Sequence, residues 1–269
     1  MIHSSAFIDP SAEIAPDVEI GPGVFVGPQV VIGSGTVLHH NSSVICNTKI
    51  GERNVIHSGA VIGGDPQDKK WDGEETWAEI GSDNLFREHC TVNRGTIQGG
   101  GVTTIGNGCL ILASSHIAHD CIVGNRVIMA NGVLLGGHVM VEDQAGFGGL
   151  AAVHHYSTVG RLAFIGGMTR VTTDIPPYLI TEGNPSRVRA VNSVGMKRAG
   201  ISEDVCAWLK EAQRLLYNNN MIRREAFELL ELVDKGLIDY TVADSDQLLL
   251  TRHYYPKLHV AFYLSKPLD

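Results

Sequence analysis

The chain carries a group of histidines whose spacing suggests chemistry. Five of its twelve histidines lie between residues 116 and 155: His116, His119, His138, His154 and His155. Asp120 directly follows His119, and a neighbouring carboxylate can fix the tautomer of an imidazole that accepts a proton near neutral pH. Gly136 and Gly137 offer backbone N–H groups that can approach a developing oxyanion. This combination indicates acid–base chemistry on a hydroxyl group.

Two other interpretations compete with acid–base chemistry. Histidine is the commonest imidazole ligand, and a zinc ion takes three protein ligands, so the group could bind a metal. The histidines could also be unrelated, solvent-facing residues, but five of them in one patch argue against chance. We favour acid–base chemistry because a carboxylate stands beside one of the imidazoles.

A period of six residues supplies the elements that position the histidines. Aliphatic or similar apolar residues recur at this spacing from Ile8 to Ile62, at Ile80, Phe86 and Val92, and from Ile105 to Val171. Six matches neither the 3.6 of a helix nor the 2 of a half-buried strand. It is typical of a hexapeptide β-helix, in which each repeat is a short strand plus a turn.

Three repeats per coil would give a three-faced prism with 18 residues per turn. Ile117, Leu135, Val153 and Val171 would then stack on one face, and the five histidines would gather at one edge of the prism. A glycine often follows the aliphatic residue, as at Gly27, Gly33 and Gly51. We expect these glycines to take the positive φ of a tight corner.

Two segments, 63–79 and 97–104, interrupt the repeat on the side of the histidines. Ile62 and Ile80 are 18 positions apart, so we expect the register to continue across the first loop. Loops that leave a rigid scaffold often carry function. The second loop contains Gln98 and three consecutive glycines.

The repeat ends after Val171, before a proline pair that cannot donate to a ladder. Ser202 resembles an N-cap, and helical spacing of apolar residues follows it. Further helices are expected at 224–235 and 243–254. The sequence therefore predicts a parallel β-helix over residues 1–190, with loops 63–79 and 97–104, and an α-helical domain over residues 191–269.

Bulk composition narrows the functional classes. A net charge of −8 argues against a broad nucleic-acid surface, and no apolar run has the length of a membrane span. The first residues lack the basic and apolar regions of a signal peptide. The five cysteines form no CxxC pair, which favours small core residues in a reducing cytosol. We therefore expect a cytoplasmic protein.

Several motifs together resemble the UDP-N-acetylglucosamine O-acyltransferase family, the first enzymes of lipid A biosynthesis. They are 93–96 (NRGT), 98–101 (QGGG), 116–120 (HIAHD), 137–139 (GHV), 152–154 (AVH), 174–178 (DIPPY) and 195–198 (GMKR). The resemblance implies an all-β left-handed parallel β-helix with a small helical domain, assembled as a homotrimer with active sites between neighbouring subunits. It also implies transfer of a 3-hydroxyacyl or acyl group from acyl carrier protein to the sugar 3-hydroxyl.

The resemblance also assigns roles to residues. His119 would be the general base, Asp120 would orient it, and the Gly137 N–H would bind the oxyanion. Residues that would bind the nucleotide sugar or line its pocket are Gln67, Asp68, Lys70, His116, His138, His154, Asn192 and Arg198. No metal or cofactor is implied, because the acyl donor is an activated thioester on the carrier's phosphopantetheine. The basic residues of 187–198 would steer the acidic carrier protein.

Three alternatives remain open at the level of sequence. A zinc hydrolyase of the γ-carbonic anhydrase type also uses a three-faced prism, and it would bind zinc through His116, His138 and His154. An N-acyltransferase of the same pathway would act on an amino sugar, although that group normally has an additional N-terminal domain. A non-catalytic scaffold would give no reason for the clustered histidines and the two loops.

Overall fold

The computed structural model describes residues 1–214 and Tyr217. In these residues 27 short strands form three sheets, and all strand pairs are parallel except the last. The first sheet contains β1 (Phe7–Ile8), β4 (Phe25–Val26), β7 (Ser43–Val44), β10 (Val61–Gly64), β13 (Thr91–Asn93), β16 (His116–Ile117), β19 (Leu134–Leu135), β22 (Ala152–Val153) and β25 (Arg170–Val171). The second contains β2 (Glu13–Ile14), β5 (Val30–Ile32), β8 (Thr48–Ile50), β11 (Trp77–Ile80), β14 (Val102–Ile105), β17 (Ile122–Val123), β20 (Met140–Val141) and β23 (Thr158–Val159). The third contains β3 (Glu19–Ile20), β6 (Val37–Leu38), β9 (Val55–Ile56), β12 (Leu85–Phe86), β15 (Leu110–Ile111), β18 (Ile128–Met129), β21 (Gly146–Phe147), β24 (Phe164–Ile165), β26 (Leu179–Glu182) and β27 (Arg187–Val191).

The strand register confirms a coil of 18 residues. Ile117 pairs with Leu135, Leu135 with Val153, and Val153 with Val171. These four side chains are at most 4 % exposed, so the repeat aliphatics fill the interior of the prism. Each coil hydrogen-bonds to the next one, which satisfies the backbone groups of strands only two residues long.

The glycines after the aliphatics are required for close approach, not for positive φ. The expectation of a left-handed corner at Gly27, Gly33 and Gly51 was wrong, because positive φ is found later in each turn, at residues such as Gln29 (φ 55°) and Arg53 (φ 52°). A Cβ on Gly33 would lie 2.7 Å from the Gly51 carbonyl of the next coil. Stacked coils therefore leave no room for a side chain there.

The first loop keeps the period of six but shifts the stacking. Ile80 does not stack on Ile62, as the 18-residue spacing suggested; it pairs with Ile50 in the second sheet. Ile62 pairs instead with Val92, 30 positions further on. The insertion is thus two whole repeats long, so the spacing of six residues continues across it and the sequence pattern does not reveal it. Both loops leave at the corner between the first and second sheets.

The third sheet extends beyond the last regular repeat. β26 continues it in parallel, and β27 adds to β26 in antiparallel orientation. Two helices follow, α1 (Ser193–Arg198) and α2 (Glu203–Gln213), and the Ser202 side chain accepts a hydrogen bond from the Val205 N–H as the predicted N-cap of α2. β27 was not expected from the sequence, and α1 lies in the region predicted to be helical but before the first helix that was placed there, at Ser202. The helices predicted at 224–235 and 243–254 lie outside the described residues, and the proposed division near residue 190 stays a prediction.

The cysteines are all free, and four of the five are buried as small core residues. Among the described residues, no helix combines the length and apolar character needed to cross a membrane.

Candidate active site

His119 and Asp120 form a hydrogen-bonded pair at the corner between the first and second sheets. Asp120 takes the left-handed corner conformation, with φ at 61°, and its side chain is only 1 % exposed. His119 Nδ1 lies 2.7 Å from Asp120 Oδ2. Because a carboxylate only accepts hydrogen bonds, the proton is on Nδ1 and the ring Nε2 is left as a proton acceptor.

The second loop and Thr96, the residue directly before it, enclose the Asp120 carboxylate. The Thr96 N–H donates to Oδ1 at 2.6 Å, and the Thr96 hydroxyl donates to Oδ2 at 2.7 Å. The Asp120 N–H donates to Thr103 Oγ1 at 2.8 Å, and a Cβ on Gly99 would overlap the carboxylate. These contacts therefore fix the position of the carboxylate behind His119. The sequence did not indicate that Thr96 and Thr103 hold Asp120 in place, although Thr96 belongs to the motif 93–96 (NRGT).

Gly137 packs directly against the His119 ring. A Cβ at this position would lie 2.5 Å from His119 Cε1 and 2.7 Å from Nε2, so only glycine fits beside the imidazole. Among the described residues, the Gly137 N–H has no hydrogen-bond acceptor. The site thus places a proton acceptor and a backbone donor side by side.

Three other histidines, His138, His154 and His155, continue from His119 as a series of ring contacts. The His138 ring meets the His119 ring edge-on at 5.2 Å between centroids, and it stacks on Tyr156 at 4.4 Å. His155 contacts Tyr156 at 5.5 Å, and His154 lies 3.8 Å from His155. The expected gathering at one edge of the prism is therefore observed. Sequence reasoning missed Tyr156, since a lone tyrosine in a corner carries no signal of its own.

Burial lowers the pKa of two of these imidazoles. Desolvation lowers the pKa of His138, and the Asp120 carboxylate partly offsets this effect. Desolvation also lowers the pKa of His116, and repulsion from His119 lowers it further. His116 Nδ1 hydrogen-bonds with Thr91 Oγ1 at 2.7 Å, so its ring is held against the neighbouring coil.

The first loop reaches the histidines through Asp68. A hydrogen bond from the Lys70 N–H lowers the pKa of Asp68, and desolvation partly offsets this effect. Gln67 and Lys70 are exposed on the same loop. The structure thus brings Asp68 to the site, while the binding roles of the three residues stay predictions.

Asn192 and Arg198 lie at a different corner of the prism. The Asn192 side chain caps α1 and donates to the Leu162 carbonyl, between the second and third sheets. Arg198 is exposed in the last turn of α1. Within one chain these two residues therefore do not complete the histidine corner.

The side chains that could bind a metal together are not the three histidines expected to bind zinc, His116, His138 and His154. Among the described residues, the one group of three is His119, Asp120 and His138, whose ligand atoms lie within 4.8 Å of one another. His116 and His154 are not part of it. The Asp120 carboxylate already accepts three hydrogen bonds, two from Thr96 and one from His119 Nδ1. The donor set therefore favours an oriented imidazole over a metal centre.

Three family profiles match successive parts of the chain. A family profile described as "Udp N-acetylglucosamine O-acyltransferase; Domain 2" matches residues 174–247, and one described as "Bacterial transferase hexapeptide (six repeats)" matches residues 103–137. A third, described as "GMPPB C-terminal domain", matches residues 2–101.

Two curated relatives carry the name acyl-[acyl-carrier-protein]–UDP-N-acetylglucosamine O-acyltransferase. The protein from Synechocystis is 48 % identical over 68 % of this chain and 66 % of its own length. The protein from Anaeromyxobacter strain Fw109-5 is 44 % identical over 68 % of this chain and 72 % of its own length. The match thus spans about two thirds of the Synechocystis relative.

Solved structures extend the similarity to the fold. LpxA from Acinetobacter baumannii has a TM-score of 0.82 and 43 % identity, covering 86 % of this chain and 89 % of its own. LpxA from Bacteroides fragilis, titled a UDP-N-acetylglucosamine acyltransferase, has a TM-score of 0.83 and 35 % identity, covering 87 % of this chain and 91 % of its own. The predicted left-handed parallel β-helix is confirmed by this similarity and by the parallel sheets.

Proposed function

The chain belongs to the UDP-N-acetylglucosamine O-acyltransferase family, and on that premise we propose that it transfers an acyl or 3-hydroxyacyl group from acyl carrier protein to the 3-hydroxyl of UDP-N-acetylglucosamine, the first step of lipid A biosynthesis. One observation carries the proposal: His119 is oriented by a buried carboxylate, and its Nε2 faces Gly137. A free hydroxyl is a poor nucleophile, so this reaction needs a positioned base.

The proposed reaction has two steps. His119 Nε2 takes the proton of the sugar 3-hydroxyl while the oxygen attacks the thioester carbonyl, and the negative charge on the carbonyl oxygen is stabilised by the Gly137 N–H. The intermediate then re-forms the carbonyl, the carbon–sulfur bond breaks, and the thiolate takes the proton from the imidazolium. Asp120 remains ionised and stabilises the imidazolium between the two steps. Atoms and charges balance without a metal or a cofactor, since the phosphopantetheine of the carrier is the thiol that leaves.

The substrate site is proposed to be shared between subunits of a homotrimer. Asp68, Gln67 and Lys70 on the first loop would hold the sugar end of the nucleotide above the histidines, and His116, His138 and His154 would line the pocket. Asn192 and Arg198 stand at another corner, so a neighbouring subunit is the proposed source of these residues for the uridine and diphosphate. A site shared between subunits would bring Asn192 and Arg198 of one chain next to the histidine corner of another.

The carrier protein and the cell compartment follow from charge and cysteine state. Arg187, Arg189, Lys197 and Arg198 are exposed together around β27 and α1 of a protein with net charge −8. This local basic surface is the proposed docking site for the acidic carrier. Five free thiols suit a reducing compartment, and the cytoplasm is the proposed location.

The decisive test is acyl transfer by the His119→Ala variant. Product formation from UDP-N-acetylglucosamine and a panel of acyl carrier protein thioesters would be followed by mass spectrometry. We expect the variant to keep its oligomeric state and lose activity by a factor of about 10³, within the range of general-base catalysis. His40→Ala is the matched control: His40 is bonded to Ser58 on an early coil and should leave the rate unchanged. A wild-type protein without transferase activity would overturn the proposal, and an active His119→Ala variant would overturn the base assignment.

Two rival activities are distinguished in the same preparations. Stoichiometric zinc in the purified protein, lost on substitution of His138, would favour the hydrolyase. Faster acylation of a 3-amino analogue of the sugar than of the 3-hydroxyl substrate would favour an N-acyltransferase.

A further inference from the structure

Arg94 is a buried cation outside the catalytic pair. It follows β13, and its side chain is only 4 % exposed. One guanidinium nitrogen, Nη1, donates to the Gly63 carbonyl at 2.6 Å and to the Cys46 sulfur at 2.8 Å. The other, Nη2, donates to Asp65 Oδ1 at 2.7 Å. Gly63 and Asp65 are the first residues of the first loop.

The contacts of Arg94 extend to both ends of this loop and to its middle. The Arg94 N–H donates to the Gly64 carbonyl at 2.9 Å, and the N–H of the next residue, Gly95, donates to the Trp77 carbonyl at 3.1 Å, where the loop returns to the second sheet. The Arg94 guanidinium carbon lies 5.9 Å from the centre of the Trp71 ring, within the range of a cation–π contact.

The charge of Arg94 favours the conformation in which the loop is in contact with it. A buried guanidinium without a counter-ion is strongly unfavourable, and the counter-ion here, Asp65, is a loop residue. Arg94 Nε has no hydrogen-bond partner among the described residues, so the buried guanidinium is one bond short even with the loop in contact. If the loop moved away, the cation would lose Asp65 and Trp71 and keep only the neutral acceptors, the Gly63 carbonyl in β10 and the Cys46 sulfur. The closed loop is therefore the state in which Arg94 is paired.

We propose that Arg94 is a positioning residue that latches the first loop over the histidine corner through Asp65, and so sets the affinity for the nucleotide sugar. The loop, which carries Asp68, leaves the prism between β10 and β11, at the same corner between the first and second sheets at which His119 lies. Arg94 itself does not contact the reacting atoms. The kinetic consequence of this inference rests on the proposed function, whereas the latch itself rests on the contacts alone.

The test combines two variants with a matched control. Arg94→Lys keeps the charge but lacks the planar fork that bonds two partners at once. Asp65→Asn leaves Arg94 in place and removes only its exposed counter-ion, so it keeps the test valid if the lysine variant fails to fold. Arg53→Gln is the control, because Arg53 also pairs with a carboxylate, Asp83, but on an exposed coil edge.

Two readouts separate a latch from a merely structural role. Weakening the latch should raise the KM for UDP-N-acetylglucosamine about tenfold and change kcat less than about threefold, since the loop binds the substrate and does not act in the chemical step. Cys46 is the only cysteine of the five that is not buried, and Arg94 and Asp65 both act on its pKa. Its reaction with a maleimide, measured across pH and expressed per thiolate in each variant, therefore reports loop opening without any substrate. We expect its labelling rate to rise about tenfold in both variants, as removal of one partner opens the loop more often.

Each outcome decides between the alternatives. Faster labelling with a raised KM supports the latch, and unchanged labelling in both variants overturns it. A fall in kcat with unchanged KM also overturns it, because it would assign Arg94 to the chemical step. If the wild-type protein transfers no acyl group but labelling is still faster in the variants, the latch stands and the proposed function fails.

Discussion

Replacing Asp120 by asparagine changes the charge behind His119 and little else. The carboxylate accepts hydrogen bonds from the Thr96 N–H, the Thr96 hydroxyl and His119 Nδ1. An asparagine can accept the bond from the Thr96 N–H with its Oδ1, but then turns its amide N–H₂ towards His119. An amide donor there requires Nδ1 to be an acceptor, which moves the ring proton to Nε2.

The size of the effect follows from the loss of the base. With the proton on Nε2, His119 cannot accept a proton from the sugar hydroxyl, and the imidazolium has lost its counter-ion. A wrong tautomer of this type costs about 10³–10⁴ in kcat, equivalent to about 4–5.5 kcal/mol of transition-state stabilisation. The KM should change little, because Asp120 is buried behind the imidazole. Weaker bonds to Thr96 should lower the free energy of unfolding by about 2–3 kcal/mol.

Steady-state acyl transfer and urea unfolding measure the two effects separately. The matched control is Asp17→Asn, because Asp17 also accepts bonds from a hydroxyl and a backbone N–H of the next coil, those of Ser34 and Gly35, but in the first coil. It should leave kcat unchanged. A folded Asp120→Asn variant with kcat within tenfold of wild type would refute the argument that this carboxylate sets the His119 tautomer.

Three further outcomes are expected. Gly137→Ala should lower kcat about 100-fold with little loss of secondary structure by circular dichroism, because its Cβ would lie 2.5 Å from His119 Cε1 and displace the ring; wild-type kcat would contradict this. Thr96→Val should lower kcat about tenfold and shift the pH–rate profile, since the hydroxyl bond to Asp120 is lost while the backbone bond remains; an unchanged profile would contradict this. Acidification from pH 7.5 to 5.5 should lower the Tm in differential scanning fluorimetry. Burial lowers the folded-state pKa of His57, His116 and His138 below the unfolded value of about 6.5. The unfolded chain therefore binds more protons in this window, and the folded state becomes less stable as the pH is lowered. A Tm that rises on acidification would contradict this.

The stacking of coils could be predicted because it depends on one number. Eighteen residues per circuit place Leu135 on Ile117 wherever the chain has no insertion, and the histidines attached to those coils must then share an edge. The same arithmetic misplaced Ile80, since a loop of two whole repeats preserves the period of six but moves each later residue to another face. A periodic pattern fixes the repeat and leaves the face undetermined after an insertion.

Side-chain contacts between coils were less predictable for a different reason. Tyr156 stacks on His138, and Thr96 bonds to Asp120, but neither contact produces a recurring pattern in the sequence. Such contacts depend on the backbone conformation of single corner residues. His138, for example, has φ at 62°, a conformation that most side chains avoid and that no count of periods reveals.

The second loop explains why His119, among five clustered histidines, is the one whose ring is oriented by a carboxylate. Asp120 occupies an outer corner of the prism, where a carboxylate would ordinarily be hydrated and its partner imidazole free to rotate. The loop covers it with Thr96, and the close packing of Gly99 removes the space for water around the carboxylate. In this low-dielectric position the bond to His119 Nδ1 is stronger than in water, and a single tautomer is selected. His116 bonds instead to a hydroxyl, and the His138 ring stacks on a phenol, so neither has a carboxylate in hydrogen-bond contact to fix its proton. The interruption of the repeat is therefore what turns one imidazole of a surface cluster into a directed proton acceptor.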